Sequence, residues 1–402
     1  MTTPIPHDAA LPQARAMLDP EVMTRVLADV LGRPVESVQV TYVRYRPGSR
    51  LLVRYSTRAG AETHEAVALA DAHSDLASRV ALPANAALAA KVGRRSPALR
   101  PLAFSEEITA LIQWPPLDVA LPILAETPDA VRDRLAAAGI AFAGENDLPR
   151  LIKYKPLSRA VFRLDGHVLK AHPHDPSLDR SAHALRAVSR VLPRRTAQLE
   201  AILPEWRLEV QSLVPGERPD SAAAAAPAAG AVLSELHAAN LPELPASAPG
   251  DRLAETAEAA RLVAAVVPRL AARAGRLLQR LGEAPPDEPL VASHGGFHIS
   301  QLLIDENGEV GMIDLDGACL APAAGDIASY GVSLVRGPDD LPRAVQALDA
   351  LCEAYGRRPA GIPWYLSSLL LRRARLPFTR FREGWEDDVD TRLAGAEAAL
   401  TL

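Results

Sequence analysis

The chain has 402 residues, of which 48% are hydrophobic and 23% charged, and a formal net charge of −5. That length can bury more than one core, the slight acidity argues against nucleic acid as a main partner, and the lack of any run of about 18 apolar residues argues against a membrane span. With no signal-like order in MTTPIPHDAALPQ and only two cysteines, Cys319 and Cys352, the expectation is a cytoplasmic protein without a disulfide framework.

In chain order, residues 14–32 have helical periodicity and stop at Gly32-Arg33-Pro34. Alternating runs at 38–45 and 50–57, joined by Arg46-Pro47-Gly48-Ser49, predict a β-hairpin. The pattern returns 109 residues later. VRYRPGSRLLVRY (43–55) aligns with IKYKPLSRAVFRL (152–164), sharing Tyr, Pro, Ser and two Arg, which suggests a duplicated hairpin or two related small sheets. Between the copies, proline-bearing segments at 96–101 and 113–128 separate short apolar pieces, and a helix is predicted over 128–138.

Only the second copy is followed by an apolar strand that ends in lysine, Lys170. The chain has four lysines among 44 basic residues, and a compact ammonium suits a phosphate in a narrow site better than a guanidinium fork does. After the turn His172-Pro173-His174-Asp175-Pro176 a helix is predicted over 178–191, and 206–219 reads as a strand ending in a Pro-Gly turn. Residues 221–230 read as a linker or as the opening of a helix that reaches His237. Helical spacing marks 251–281, and helical character is expected from there to a hairpin at 301–314 and again from 340 onward.

That hairpin joins QLLID (301–305) to VGMID (310–314) through Glu306-Asn307-Gly308. A polar loop, Ser293-His294-Gly295-Gly296-Phe297-His298, precedes it, and its second strand ends in Asp314, with Asp316 two residues on. A short hairpin that holds a polar loop beside an acidic end is how kinases present a catalytic loop and a metal-binding acid. An acid closing an apolar strand needs a partner, and the surrounding motif favours a cation for Asp314. Other chemistries fit less well. Ser293 has Val291 rather than glycine two residues before it, and a hairpin rather than a helix after it, unlike a hydrolase nucleophile elbow. His294 and His298 have no third zinc ligand nearby.

HGGFHISQLLIDENGEVGMIDLDGA (294–318), followed by GDIAS (325–329) and taken with the Lys170 strand, resembles the aminoglycoside phosphotransferase and choline kinase family over roughly residues 148–402. The resemblance implies an α+β, two-lobed protein-kinase-like fold. It places a small lobe at 146–217 and a helical lobe at 218–402, with residues 1–145, largely outside it, expected to form an additional α+β region. It also implies ATP or GTP and Mg²⁺ as cofactors, and the hydroxyl of a small molecule or peptide as acceptor. By the same resemblance Lys170 contacts the nucleotide phosphates, while Ser158, Gln211 and Leu213 border the nucleotide. Gln301 and Asp314 hold Mg²⁺, and His294 and Asp326 brace the loop. Residues 1–145 are a candidate platform for the acceptor or a protein partner.

Two positions depart from the family pattern. Gly296 stands where the catalytic Asp is expected, and the helix at 178–191 has no Glu to pair with Lys170, leaving Asp175, Asp179 or Glu200. His298 and Asp316 are the candidate replacements for the missing base. The alternative reading is a nucleotide-binding pseudokinase with a regulatory or partner-binding role.

Overall fold

The computed structural model describes residues 8–142, 144, 148–380 and 384–402, and the expected boundary near 145 lies outside them. By packing, the chain divides into two units. One is Met1–Leu178 with Ala201–Val210 and Phe378–Glu383; the other is Asp179–Glu200 with Gln211–Pro377 and Gly384–Leu402.

Two five-stranded sheets share one strand order. β1 (Ser37–Arg46), β2 (Arg50–Ala59), β3 (Glu62–Asp71), β4 (Leu102–Ser105) and β5 (Ala110–Gln113) stand as β1-β2-β3-β5-β4. β6 (Arg150–Lys155), β7 (Arg159–Leu164), β8 (His167–Ala171), β9 (Leu199–Leu203) and β10 (Leu208–Ser212) stand as β6-β7-β8-β10-β9. The strand expected over 206–219 is therefore short, and a 3-10 turn, Pro204–Trp206, leads into it. Each sheet has its own apolar core in the first unit. Leu52, Val67, Leu69 and Leu111 anchor one; Phe162, Leu169, Leu208 and Val210 anchor the other, with Leu121, Val131 and Leu135 packed on it.

The helix expected over 14–32 is split. Ala14–Met17 is a single turn, and Pro20–Leu31 starts afresh because Asp19 caps it, accepting from the amides of Glu21 (2.8 Å) and Val22 (3.4 Å). Pro20 takes the first helical position, where no N–H is needed, and Gly32, at φ +79°, ends the helix.

In the second unit, residues 221–230 open a helix. Ser221 caps Ala222–Ala238, its hydroxyl accepting from the amide of Ala224 at 3.3 Å. This helix lies so close to Leu341–Tyr355 that a Cβ on Gly230 would fall 2.2 Å from the Leu351 carbonyl oxygen. Helices Pro249–Val266 and Ala271–Glu283 account for 251–281. The expectation of helix from there to the hairpin is overturned at 290–293. Pro285, Pro286 and Pro289 cannot continue a helix, and β11 (Leu290–Ser293) pairs antiparallel with β14 (Cys319–Pro322). Between them β12 (Leu302–Ile304) and β13 (Val310–Met312) form the expected hairpin in a shorter version. Helices dominate the rest, and among the described residues no helix is long and apolar enough to cross a membrane.

Candidate functional site

The pairing of β11 with β14 brings the start of the polar loop to the first turn of the helix Ala323–Gly331, where Asp326 sits. Asp326 is 2% exposed and grips two consecutive amides: Oδ2 accepts from His294 N at 2.6 Å and Oδ1 from Gly295 N at 3.0 Å. Oδ2 also lies 3.2 Å from His237 Nε2, and His237 Nδ1 lies 3.0 Å from the Tyr355 hydroxyl. Burial by itself would push this carboxyl up. The hydrogen bond and charge of His237, with the charge and amide of His294, outweigh burial and hold Asp326 below the ordinary carboxylate value. The His294 ring reaches the hairpin, its Nε2 lying 3.0 Å from the Ile313 carbonyl oxygen, and packs edge-on against Phe297.

The two loop glycines differ. Gly295 has φ +79°, and a Cβ there would lie 1.9 Å from the Gly317 carbonyl oxygen, so only glycine fits. A Cβ on Gly296 would meet nothing within 4 Å. The backbone at 296 therefore leaves room for a side chain to begin, unlike that at 295.

Gln301 links the end of the loop to the hairpin. Its side-chain Oε1 accepts from His298 N at 2.8 Å, and its backbone oxygen accepts from Ile313 N at 3.0 Å. The hairpin is held from outside as well: Met312 N donates to the Arg195 carbonyl at 2.6 Å, and the Arg195 guanidinium pairs with Glu235 and Glu309. Asp314 follows β13 with φ +68°, the left-handed step that turns the chain into the 3-10 turn Leu315–Gly317. Asp314 and Asp316 line one cleft with Gln211, Leu185, Ala197 and Met312, whereas Leu213 is not among its lining residues. Asp316 Oδ1 accepts from Ser181 Oγ at 3.0 Å, and His298 Nδ1 lies 2.9 Å from Ser300 Oγ. Thus the second unit brings together His294, Gln301, Asp314 and Asp326 on one loop-and-hairpin frame.

Lys170 and Ser158 belong to the first unit. Lys170, 6% exposed, faces Val161 across β7–β8, and Ser158 lies in the β6–β7 turn, its amide donating to the Lys155 carbonyl at 3.1 Å. Asp175, Asp179 and Glu200 are all exposed. Two further residues were not singled out from the sequence. Glu209 is 0% exposed on β10, the strand beside β8, with Oε1 3.3 Å from Nε2 of His172, two residues beyond Lys170. His237 is the ring that pairs with Asp326. Each had a local signal: an acid inside the apolar run Leu208-Glu209-Val210, and a histidine four residues after Leu233 on an apolar helix face.

Among the described residues no group of three or more His, Cys, Asp or Glu could hold a metal ion. That donor set is poor for zinc. Mg²⁺ commonly takes one or two carboxylates and draws its other oxygens from phosphates and water. Asp314 fits that requirement, and the Gln301 amide oxygen, with one lone pair engaged by His298 N, has a second to offer.

Comparison with known proteins agrees with this frame. Residues 155–362 match the model of a family described as the phosphotransferase enzyme family. No curated protein matches the chain. The solved structure of aminoglycoside 2'-phosphotransferase-IIIa, a GDP complex, is 11% identical with a TM-score of 0.50, covering 68% of this chain and 99% of that one. Spectinomycin phosphotransferase with ADP and spectinomycin is 11% identical, TM-score 0.49, covering 67% and 98% respectively. A choline/ethanolamine kinase family protein from Mesorhizobium loti is 16% identical, TM-score 0.48, covering 68% and 95%. The first of these, at 11% identity and a TM-score of 0.50, is a likeness of fold: the expected α+β, kinase-like architecture with a sheet-bearing lobe and a helical lobe.

Proposed function

The chain belongs to the phosphotransferase enzyme family, and on that premise we propose that it transfers the γ-phosphoryl group of ATP or GTP to the hydroxyl of a small molecule or peptide. The observation that carries this reading is the double grip of Asp326 on the amides of His294 and Gly295, which fixes the polar loop against the hairpin that ends in Asp314. The GDP bound by aminoglycoside 2'-phosphotransferase-IIIa supports nucleotide as donor.

In this reading Lys170 neutralises nucleotide phosphates, while Ser158, Gln211 and Leu213 border the nucleotide. Asp314 and Gln301 hold Mg²⁺, which when bound spreads the charge of the phosphate oxygens. Phosphoryl transfer depends chiefly on positioning and charge neutralisation, so the reaction survives the lack of an acid at 296 at reduced rate. Of the two replacements, Asp316 is favoured over His298, because it lines the same cleft as Asp314 and Ser181 orients its carboxylate. As the acceptor oxygen bonds to phosphorus and the bond to the β-phosphate oxygen breaks, the hydroxyl proton passes to Asp316.

The bare Cα of Gly296 favours a second reading, a nucleotide-binding pseudokinase. One experiment separates the two. Nucleotide with Mg²⁺ should raise the melting temperature, and Asp314→Asn should remove the metal-dependent part. Slow nucleotide hydrolysis that is lost in Lys170→Ala supports the enzyme; a thermal shift with no turnover supports the pseudokinase. No shift with ATP, ADP or GTP plus metal would sink both.

A further inference from the structure

The first sheet repeats the second strand for strand, and the cross-strand registers tie the copies residue to residue. Arg44 faces Leu52 and Arg46 faces Arg50 across β1–β2; Lys153 faces Val161 and Lys155 faces Arg159 across β6–β7, each 109 residues on. One strand further, Leu52 faces Leu69 where Val161 faces Lys170. Leu69 therefore occupies the place that Lys170 occupies in the second sheet. Cross-strand partners share a face, so Leu69, Leu52 and Arg44 mark the face on which the second sheet carries its lysine.

In the first sheet that face is apolar and covered: Leu52 is 3% and Leu69 2% exposed, both within one core. Leu157, in the β6–β7 turn, is half-buried, lines one hollow with Arg44, Arg46, Arg50, Leu52 and Leu69, and packs on the core that contains Leu52, Leu69 and Leu111. Leu157 has φ +53°, an uncommon backbone state for a leucine, so the surroundings must hold it there. Asp118, 1% exposed and just beyond β5, supplies the hold. Its Oδ2 accepts from Leu157 N at 2.8 Å and from the Tyr154 hydroxyl at 2.9 Å, and its Oδ1 accepts from Ala120 N at 2.8 Å. An apolar plug and a buried carboxylate thus fasten the same turn to the same copy.

We propose that the first sheet is a copy of the second that has lost its own nucleotide site and now acts as a mould for the β6–β7 turn. Leu157 and Asp118 are positioning residues that hold Ser158 and the neighbouring amides ready for nucleotide phosphates. The assignment of the turn to phosphates rests on the functional reading above. Preorganisation of this kind removes the ordering cost that a free loop would meet on binding. It also fixes the stoichiometry at one nucleotide per chain, despite two sheets of one design.

The test uses the full chain as wild type, Leu157→Asn and Tyr154→Phe. Asparagine accepts the left-handed backbone, so Leu157→Asn removes the plug and leaves the turn. Without nucleotide, amides at 155–159 should exchange with solvent roughly tenfold faster in Leu157→Asn, with the remaining strands unchanged. Calorimetry with ATP or GTP plus Mg²⁺ should give one site per chain, weakened about tenfold in Leu157→Asn and less in Tyr154→Phe, with KM rather than kcat affected. Unchanged exchange in the turn overturns the proposal, as does faster exchange with unaltered affinity, or a second nucleotide per chain. If the wild type binds no nucleotide, the functional reading fails and the phosphate role falls with it. The exchange arm then still decides whether the first sheet holds the turn.

Discussion

His237 Nε2 and Asp326 Oδ2 lie 3.2 Å apart with both side chains buried, and through this pair three separate pieces of chain meet. The helix Ala222–Ala238 supplies the ring, the helix Ala323–Gly331 the carboxylate, and the residues after β11 the two amides that the carboxylate accepts. Tyr355, at the end of a further helix, closes the chain of contacts on the far side of the ring. The position of the polar loop is thus set by partners 31, 32 and 89 residues apart in sequence.

This pair predicts a specific acid sensitivity. Asp326 is held below its ordinary value of 3.8, with burial opposing and His237 favouring the charged form. Its stabilising contribution is therefore complete above the unfolded value and is lost as the pH falls through the lower folded value. Denaturant unfolding at a series of pH values should show a steep acid limb below about pH 4 that flattens in Asp326→Asn. At neutral pH, Asp326→Ala should cost about 3–5 kcal/mol, because it strands a buried partner. An acid limb unchanged in Asp326→Asn would contradict this account.

The adjacent glycines of the loop should respond in opposite ways to alanine. At Gly295 a Cβ meets the Gly317 carbonyl at 1.9 Å and the backbone is left-handed, so Gly295→Ala should lose more than the roughly 1–3 kcal/mol of ordinary overpacking. Gly296→Ala meets open space and should stay within about 0.5 kcal/mol of wild type. Chemical denaturation of the two variants side by side decides it. Equal losses would mean that the close approach at Gly317 does not govern the loop.

These contrasts indicate which parts of the molecule were legible in its sequence. The hairpin and Asp314 were readable because their signals are local: a turn at Glu306-Asn307-Gly308 between apolar runs, and an acid at the end of one of them. The repeat at 43–55 and 152–164 was readable for the same reason. What was hidden depends on partners far along the chain. β4 and β5 are four residues each and exist because β5 pairs with β3 some forty residues back. β11 was masked by its flanking prolines and becomes a strand only against β14. Leu157 reads as a turn residue, and nothing local signals that its side chain packs against the core of another sheet.

Glu209 offers a test of a buried acidic side chain that the sequence did not announce. It is 0% exposed beside His172, on the strand next to the one that carries Lys170. Removing a buried carboxyl leaves its partners unsatisfied and typically costs about 1–3 kcal/mol, and an isosteric amide that keeps hydrogen bonding costs less. Thermal and denaturant unfolding should therefore rank wild type above Glu209→Gln, and Glu209→Gln well above Glu209→Ala. Equal stability of Glu209→Ala and wild type would remove Glu209 from any structural role.

Gly296→Asp tests the acceptor side directly. A Cβ at 296 meets nothing within 4 Å and the backbone there is not left-handed, so the variant should fold, which its melting temperature checks. A general base contributes typically about 10²–10⁴-fold to such a step. If Asp316 already serves, the gain from a carboxylate at 296 should be smaller than that range, about tenfold. The sharper prediction concerns the pair. Asp316→Asn alone should lower nucleotide hydrolysis, with water as acceptor, by about 10²-fold, but should lower it far less when Gly296→Asp is also present. Groups that perform one role in turn are non-additive in this way. Fully additive effects would mean that Asp316 does not act as the base. An increase from an undetectable rate on Gly296→Asp alone would identify the wild-type chain as a pseudokinase whose nucleotide side is intact. In that case the missing carboxylate is what separates binding from turnover.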